Sequence, residues 1–395
     1  MLSDHKISTF TGTSENEIFS LLFHPAEQIL LSTDVTGAVH FNLFDLDSRE
    51  VSLPEGMGTR PYRPHKDGES CRSIDIMPSQ SEGGYDMITG GGDGRIVVSN
   101  FNPSAIGKWK VCENGAINVV KAVNENLLVA GDDDGALHVV DLRERKKVFS
   151  IHEQTDYISA ITTGLSESPL KSLIALSGDC TVGVYDLRMT ASSTGGKRKD
   201  RLVALSDEQE DELNCVAVMN AEQHVITGDG HGVVGIWKNG FWGDVKDRIP
   251  IYTKSENSGS DGSHSIDGLK KVSEKSFLAV TSDGIIRLMN LFPNDVERVI
   301  GVHRSDDEKE IATISGFDCD VELGLIATAC GDSDGTIKFW SLNKTNGVEL
   351  SDDEEDEQPM KKGGKSKKKL SKTSLKNTVH SNPDRAHKQS FFSDL

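Results

Sequence analysis

Three segments of the sequence have the spacing of motifs that perform chemistry in other proteins. Residues 331–335 read GDSDG and match the GxSxG pattern of a hydrolase nucleophile, and residues 230–235 read GHGVVG and match the GxGxxG pattern of a dinucleotide-binding loop. Residues 132–134 are three consecutive aspartates, a composition that suits calcium. Each motif needs its own setting, which is a strand-to-helix turn, a helix N-terminus facing a pyrophosphate, or a loop of alternating oxygen ligands.

The elements around these motifs do not provide those settings. Residues 331–335 lie between two strand-like segments, and residues 233–237 form another strand pattern, which offers no helix N-terminus. Residues 132–134 lack the alternating ligands and the terminal Glu of an EF-hand loop. The six cysteines are scattered without a CxxC pair, which favours buried thiols over a zinc site or a disulfide framework. We therefore interpret the motifs as structural turns and expect no enzyme activity, cofactor, metal site or small-molecule substrate.

The turns belong to an internal repeat that recurs seven times. They end at Gly37, Gly94, Gly135, Cys180, Gly232, Gly284 and Gly335, at spacings of 41 to 57 residues. The second and fourth residues after each of these positions are apolar and the third is mostly polar or small, which is the period of a β-strand. Further strand patterns precede each turn. Small antiparallel sheets of this kind bury both faces by stacking in a ring, so the sequence predicts an all-β, seven-bladed β-propeller.

The repeats resemble those of the WD40 family, which carry an Asp in this turn and end in Trp-Asp. The best match is the last repeat, in which residues 334–340 read DGTIKFW. The resemblance implies structural roles for the turn residues Asp93, Asp134, Asp179, Asp283 and Asp334, for Trp237 and Trp340, and for an upstream histidine with the candidates His65, His152 and His303. The first and fifth repeats depart from the pattern, with Thr36 and His231 in place of the turn Asp.

The ring is expected to span residues 1–347 and to close through its N-terminus. After Trp340 only two residues remain before the sequence becomes polar and charged, so the seventh blade lacks its outermost strand. The segment near residues 6–10 is predicted to supply that strand, because an open ring would leave edges that invite aggregation. Residues 348–395 contain few apolar residues, and we expect them to form a disordered, acidic and then basic tail.

The charge pattern restricts the partners. The chain has 43 basic and 62 acidic residues, a net charge of −19. From residue 349 onward there are 9 acidic and 10 basic residues, net +1, which leaves −20 for the ring. Such a ring favours proteins over RNA, and only the lysine tail has the charge for a weak RNA contact. No apolar stretch has the length of a transmembrane helix and the start does not resemble a secretory signal, so we expect an intracellular protein without membrane contact.

Two repeats end in an Asp-x-Arg sequence that supports two interpretations. The pairs are Asp141 with Arg143, and Asp186 with Arg188. In the first interpretation the aspartates stabilise blade corners while the arginines form surface or interblade ion pairs. In the second, the resemblance to WD40 proteins with a Trp-Asp-x-Arg ending implies a substrate receptor whose arginines dock the adaptor of a cullin-type ubiquitin ligase. Val140 and Tyr185 stand where those proteins have Trp.

The tail carries three candidate functional features. Ser351 precedes the acidic run 352–357 and is a candidate phosphorylation site for an acidophilic kinase such as casein kinase 2. A nuclear or nucleolar localisation signal is predicted from Lys361, Lys362, Lys365, Lys367, Lys368 and Lys369. The end of the chain, residues 390–395 (SFFSDL), is a candidate docking peptide because exposed aromatic side chains are covered best by a partner.

The ring, the Asp-Leu-Arg endings and the tail together resemble the WD repeat-containing protein 55 family. This resemblance implies a nucleolar protein linked to ribosomal RNA processing and large-subunit biogenesis. We therefore expect a non-enzymatic scaffold in the nucleus and nucleolus, with pre-ribosomal assembly factors or ribosomal proteins as its partners.

Overall fold

The chain forms seven four-stranded antiparallel sheets arranged as a propeller. The computed structural model describes residues 9–11, 16–45, 51–52, 61–79, 84–164, 169–188, 201–219, 223–251, 264–304, 312–331 and 335–342. These ranges contain 28 strands and one short 3-10 helix, Pro169–Lys171. The prediction of an all-β, seven-bladed propeller is confirmed. Within the same ranges there is no helix of the length and apolarity that crossing a membrane requires.

Each of the first four blades is built from four strands that are consecutive in sequence. Blade 1 contains β2 (Ile18–Phe23), β3 (Ile29–Asp34), β4 (Val39–Phe44) and β5 (Val51–Ser52). Blade 2 contains β6 (Cys71–Pro78), β7 (Tyr85–Gly91), β8 (Arg95–Asn100) and β9 (Ser104–Lys110). Blade 3 contains β10 (Ile117–Ala122), β11 (Leu127–Asp132), β12 (Ala136–Asp141) and β13 (Lys146–His152). Blade 4 contains β14 (Ile158–Thr162), β15 (Leu173–Ser177), β16 (Val182–Tyr185) and β17 (Leu202–Leu205).

Blades 5 and 6 are built in the same way, whereas the last blade takes one strand from the other end of the chain. Blade 5 contains β18 (Leu213–Met219), β19 (His224–Asp229), β20 (Val233–Lys238) and β21 (Asp247–Pro250). Blade 6 contains β22 (Ile266–Lys271), β23 (Ser276–Thr281), β24 (Ile285–Asn290) and β25 (Asp295–Val302). Blade 7 contains β26 (Ile314–Asp320), β27 (Leu325–Cys330) and β28 (Thr336–Ser341), and its outermost strand is β1 (Thr9–Thr11). We name the four strands of every blade a to d, from the inside of the ring outward.

The core lies between the blades, where neighbouring sheets stack face to face. The apolar residues at the second and fourth positions after each turn are all buried, from Val39 and Phe41 in blade 1 to Ile337 and Phe339 in blade 7. Strands β3, β12 and β27 are buried along their whole length, whereas β9 and β13, at the outside, are mostly exposed. The polar residues between the apolar ones therefore also lie inside, against the next blade.

The seam between blades 7 and 1 is held by strand pairing, aromatic packing and hydrogen bonds. Thr9, Phe10 and Thr11 pair antiparallel with Lys338, Ile337 and Thr336. Residues 6–8 of the predicted closing strand lie outside the described residues. The rings of Phe23, Phe44 and Phe339 pack together with centroids 5.6 to 6.3 Å apart. The Phe23 N–H donates to Asp318 Oδ2 at 2.8 Å, so a carboxylate of blade 7 binds the backbone of blade 1.

The connections between strands define two faces of the ring. The start of every a strand pairs with the end of its b strand, as Ile18 does with Asp34. The b–c turns and the d–a connections therefore lie on one face, which we call the turn face. The a–b and c–d connections lie on the opposite face. The chain divides into two units, residues 1–349 and 350–395, and the second unit lies outside the described residues.

Candidate functional site

Blades 2, 5 and 7 contain a hydrogen-bonded corner centred on a strand-b threonine. In blade 2, His65 binds Asp93 Oδ1 through Nδ1 at 2.9 Å and Thr89 Oγ1 through Nε2 at 3.0 Å. Burial alone would raise the pKa of Asp93, but the hydrogen bonds that it accepts from His65 and from the backbone N–H groups of Lys66 and Arg95 hold it below its usual range. These hydrogen bonds join three segments of blade 2, namely the d–a connection that precedes it, its b strand and its b–c turn. They therefore hold the loops of the turn face in place.

The two predicted tryptophans occupy this corner in blades 5 and 7. The Trp237 indole N–H donates to Thr227 Oγ1 at 3.0 Å, and that of Trp340 donates to Thr328 Oγ1 at 2.8 Å. His303 Nδ1 lies 2.8 Å from Thr328 Oγ1 in blade 7. Asp334, the turn Asp predicted for that blade, lies outside the described residues.

Blades 1 and 3 build the corner from an Asp at the end of strand b and a His on strand c. His40 Nε2 lies 2.9 Å from Asp34 Oδ2, and His138 Nε2 lies 2.8 Å from Asp132 Oδ2. The hydrogen bonds of these histidines and of turn N–H groups overcome the effect of burial, so the pKa of both carboxyls lies below its usual range. The WD40 pattern predicts Asp134 as the turn residue of blade 3, but that side chain is exposed and its N–H donates to Asp132.

Blades 4 and 6 substitute other residue types for the histidine. Gln154, not the exposed His152, enters the corner of blade 4, where its Nε2 donates to Thr181 Oγ1 at 3.1 Å. The Tyr185 hydroxyl donates to Gln154 Oε1 at 3.2 Å. Asp179, as the turn Asp of that blade, accepts the Thr155 N–H at 2.7 Å.

In blade 6 the buried Arg287 bridges the predicted turn residue and strand b. Its guanidinium donates to Asp283 Oδ2 at 3.1 Å and to Thr281 Oγ1 at 2.6 Å. Asp93, Asp179 and Asp283 thus take part in corners. Among the corner residues that the WD40 pattern did not identify are Asp34, His40, Asp132, His138, Gln154 and Arg287. A repeated Asp-x5-His spacing, 34 to 40 and 132 to 138, is the sequence signal that would have identified four of them.

Cys112, Asp132 and His138 are the group within the described residues whose atoms could ligate a metal, all three being buried and within 4.8 Å of one another. These atoms already have hydrogen-bond partners, since Gly115 N–H donates to Cys112 Sγ at 3.2 Å and His138 is bound to Asp132. Burial raises the pKa of the Cys112 thiol, which opposes the thiolate that a metal needs. Blade 1 forms the same Asp–His pair with Asp34 and His40, so the pair is a structural hydrogen bond.

The two segments that match enzyme motifs lie at strand–strand turns. Gly230 and Gly232 lie in the turn between β19 and β20, where Asp229 Oδ1 accepts the N–H groups of His231 and Val233. Gly331 follows β27, and residues 332–334 lie outside the described residues. The described parts of both segments connect antiparallel strands rather than a strand and a helix.

The Asp-x-Arg pairs of blades 3 and 4 form matching structures at c–d turns on the opposite face. Arg143 donates from Nε and Nη2 to the two carboxylate oxygens of Asp141, at 3.2 and 2.7 Å. Arg188 binds Asp186 in the same way, at 3.0 and 2.7 Å. The side chains of Arg143 and Arg188 are 65% and 48% exposed. The hydrogen bonds from these arginines hold the pKa of both aspartates below its usual range.

The inner strands enclose a central channel of about 500 Å³. At corresponding positions of these strands, Asp75 pairs with Lys121 at 3.1 Å across blades 2 and 3, and Lys270 pairs with Asp318 across blades 6 and 7. Asp75 also accepts the Ala122 N–H of the next blade at 2.8 Å. The channel wall at this level is charged but electrically balanced, and its polar side chains join neighbouring blades.

The turn face of blades 3 to 5 is acidic. Its d–a connections are 111–116, 153–157 and 206–212, and its b–c turns are 132–135, 178–181 and 229–232. These segments contain no Lys or Arg. Their exposed acids are Glu113, Asp134, Glu153, Asp156, Asp207, Glu208, Glu210 and Glu212. Glu212 accepts a hydrogen bond from Tyr157, whose pKa rises to about 12 through burial and this acidic surrounding.

The fold and the corner networks define a β-propeller of the WD-repeat class, whose members typically act as non-enzymatic scaffolds for protein–protein contacts. The chain is homologous to proteins named WD repeat-containing protein 55. The protein of that name from Homo sapiens is 26% identical over 334 residues, 84% of this chain and 76% of that protein. The one from Arabidopsis thaliana is 26% identical over 329 residues, 82% of this chain and 80% of that protein.

A WD repeat-containing protein of Schizosaccharomyces pombe is 29% identical over 348 residues, which cover 85% of each chain. No family model matches the chain. The resemblance to the WD repeat-containing protein 55 family, stated from the repeats and the tail, is thus confirmed at the level of homology. Ser351, the lysine cluster 361–369 and the terminal segment 390–395 lie outside the described residues, and the roles predicted for them remain predictions.

Proposed function

We propose that this protein is a non-enzymatic scaffold of nucleolar ribosome biogenesis, acting in ribosomal RNA processing and large-subunit assembly. In this proposal the acidic turn face of blades 3 to 5 holds basic segments of ribosomal proteins or assembly factors. The observation that carries it is the concentration of exposed carboxylates on neighbouring segments that contain no Lys or Arg.

The physical basis is electrostatic complementarity on a rigid support. Charges of one sign on adjacent loops add to a field that attracts and orients a cationic partner. The corner networks fix these loops, so little conformational entropy is lost when a partner binds. Glu153, Glu208 and Glu210 are exposed on two neighbouring d–a connections, which suits an extended Lys- or Arg-rich segment.

The nucleolar part of the proposal rests on the lysines of the tail and on the resemblance to the WD repeat-containing protein 55 family. The lysines of residues 361–369 have the composition of a nuclear or nucleolar signal and the sign for a weak RNA contact. Imaging of the tagged chain with and without residues 361–376 tests this part. We expect nucleolar accumulation of the full chain and its loss on deletion, and retained accumulation would contradict the role of the lysines.

The docking part is tested by reversing charge on the turn face. The variant carries Glu153→Lys, Glu208→Lys and Glu210→Lys, and the matched control carries Glu125→Lys, Glu297→Lys and Glu322→Lys, three exposed acids away from that face. Affinity purification of the tagged chain followed by mass spectrometry should recover pre-ribosomal proteins with the wild type and the control but not with the variant. Equal recovery by all three would contradict docking on this face.

The paired Asp-x-Arg corners support a second candidate function, the substrate receptor of a cullin-type ubiquitin ligase. Arg143 and Arg188 make the same pair of hydrogen bonds on neighbouring blades and remain accessible on the opposite face. The double variant Arg143→Ala and Arg188→Ala should abolish recovery of a cullin adaptor and leave the thermal unfolding unchanged within a few degrees. If the wild-type chain recovers no adaptor, this candidate is wrong.

A further inference from the structure

The c–d connections of blades 5 and 6 place two exposed phenylalanines on the opposite face. Phe241 is 67% exposed and Phe292 is 46% exposed. They are the aromatic members of the exposed large apolar residues in the described ranges. A single exposed apolar residue is ordinary on a protein surface, so the question is what surrounds these two rings.

One lysine lies near each ring. Lys238 Nζ lies 5.0 Å from the ring centroid of Phe241, and Lys246 Nζ lies 5.9 Å from that of Phe292. The His224 ring packs edge to face on Phe292, with centroids 5.5 Å apart. Burial, and then the charges of Lys246 and Lys238, lower the pKa of His224, so both lysines lie close enough to act on this ring.

These five residues form one continuous surface, which we call the aromatic–lysine patch. His224 and Lys238 are cross-strand partners of β19 and β20, and Lys238 forms a bridge with Phe241. The His224 ring contacts the Phe292 ring, and Lys246 lies over the Phe292 ring. The five residues of the patch include two lysines and no acid, on a ring whose net charge is −20.

We infer that the aromatic–lysine patch binds a short acidic segment of a partner protein that carries one apolar side chain. The apolar side chain packs on the phenyl rings, and flanking carboxylates pair with Lys238 and Lys246. Aromatic anchors beside charged groups have the composition of binding hot spots. This site is separate from the acidic turn face and takes a ligand of the opposite charge.

The surroundings favour an acidic peptide over RNA. Exposed acids lie next to the patch in sequence. They are Asp244 just before β21, Asp247 on β21, and Asp295 and Glu297 on β25. An extended polyphosphate would run onto these carboxylates after two lysines. A peptide with a few acids can place them on the lysines and end there.

Fluorescence anisotropy with the full chain tests the inference. The probe is a short labelled peptide of Asp and Glu around one central Phe. We expect binding that Phe241→Ser or Lys246→Glu weakens by about tenfold, the range of a single hot-spot residue. The charge-matched control is Lys146→Glu, on the outer strand of blade 3 with a side chain that is 62% exposed, and it should bind as the wild type does.

Several results would overturn the inference. These are no binding of the peptide to the wild type, binding that Phe241→Ser and Lys246→Glu leave unchanged, and binding of a single-stranded RNA oligonucleotide that both substitutions abolish. The variant with Glu153→Lys, Glu208→Lys and Glu210→Lys should keep its affinity for the acidic peptide, because those acids lie on the turn face. The two proposals can therefore fail independently. Failure of the turn-face proposal appears as equal recovery of pre-ribosomal proteins by all three chains, and failure of this one appears in the peptide binding.

Discussion

Two aspartates in one turn of blade 3 should differ sharply in their contribution to stability. Asp132 is buried and accepts the Ala136 N–H at 2.7 Å and the His138 ring N–H at 2.8 Å. Asp134, two residues on, is exposed and takes part through its own N–H. We predict that Asp132→Ala destabilises the ring and that Asp134→Ala, the matched control, leaves its stability nearly unchanged.

The magnitude follows from the donors that lose their acceptor. Asp132→Ala leaves the buried N–H groups of Ala136 and His138 without a carboxylate, at roughly 1–2 kcal/mol each, or about 3 kcal/mol together. For the unit of residues 1–349, an unfolding entropy of about 2.1 cal/mol/K per residue gives about 0.7 kcal/mol/K. The unfolding temperature should therefore fall by about 4 °C, and for Asp134→Ala by less than about 1 °C.

Thermal unfolding followed by circular dichroism measures both variants against the wild type. The pKa of Asp132 lies below its usual range, so its stabilising contribution is complete above its unfolded pKa of about 4 and is lost as the pH falls through the folded pKa. The difference between wild type and Asp132→Ala should persist from pH 7 to about pH 4 and narrow below it. A loss with Asp134→Ala as large as that with Asp132→Ala would refute the assignment of the corner to Asp132.

Three further substitutions or deletions test the closure, the tryptophan corner and the turn geometry. Deleting residues 1–11 removes β1 from blade 7, and with it about two to three hydrogen bonds of about 1 kcal/mol each. The unfolding temperature should therefore fall by about 3–4 °C. An unchanged thermal transition would contradict the closure. Thr227→Val leaves the Trp237 indole N–H without its acceptor and should cost about 1–2 kcal/mol in chemical unfolding, whereas combining it with Trp237→Phe should cost less than the sum of the single changes. Cys180 has a φ of 66° at a turn position that is glycine in the other six repeats. Cys180→Gly should therefore raise the free energy of unfolding by up to about 1 kcal/mol. Destabilisation in thermal unfolding would show that the contacts of the thiol stabilise the fold by more than the backbone strain destabilises it.

The strands could be predicted because their sequence pattern is local. Apolar residues at the second and fourth positions after each turn, such as Leu137 and Val139, are buried as the period of two requires. The turn position itself was readable because a positive φ favours glycine, and Gly94 shows the reason. A Cβ at Gly94 would lie 2.4 Å from the carbonyl oxygen of Cys112.

The corner networks could be predicted only in part. The pattern led to Asp93, Trp237 and Trp340, which take part in corners or donate to a corner threonine. It also led to His152, whereas the corner of blade 4 holds Gln154, two residues further along. Spacing alone cannot decide which of two nearby polar side chains turns inward, because the decision depends on the strand that faces them.

The sequence by itself determined the number of blades, the strands and their turns, and the separation of charge between ring and tail, because these follow from local period and composition. The tertiary structure decided which polar residues are buried as partners. His40, His138 and Arg287 alternate with apolar residues as surface residues would, yet they are buried because the neighbouring blade covers the second face of strand c. The tertiary structure also assembled the acidic turn face and the aromatic–lysine patch. Loops from different blades, far apart in sequence, become neighbours only when the ring closes.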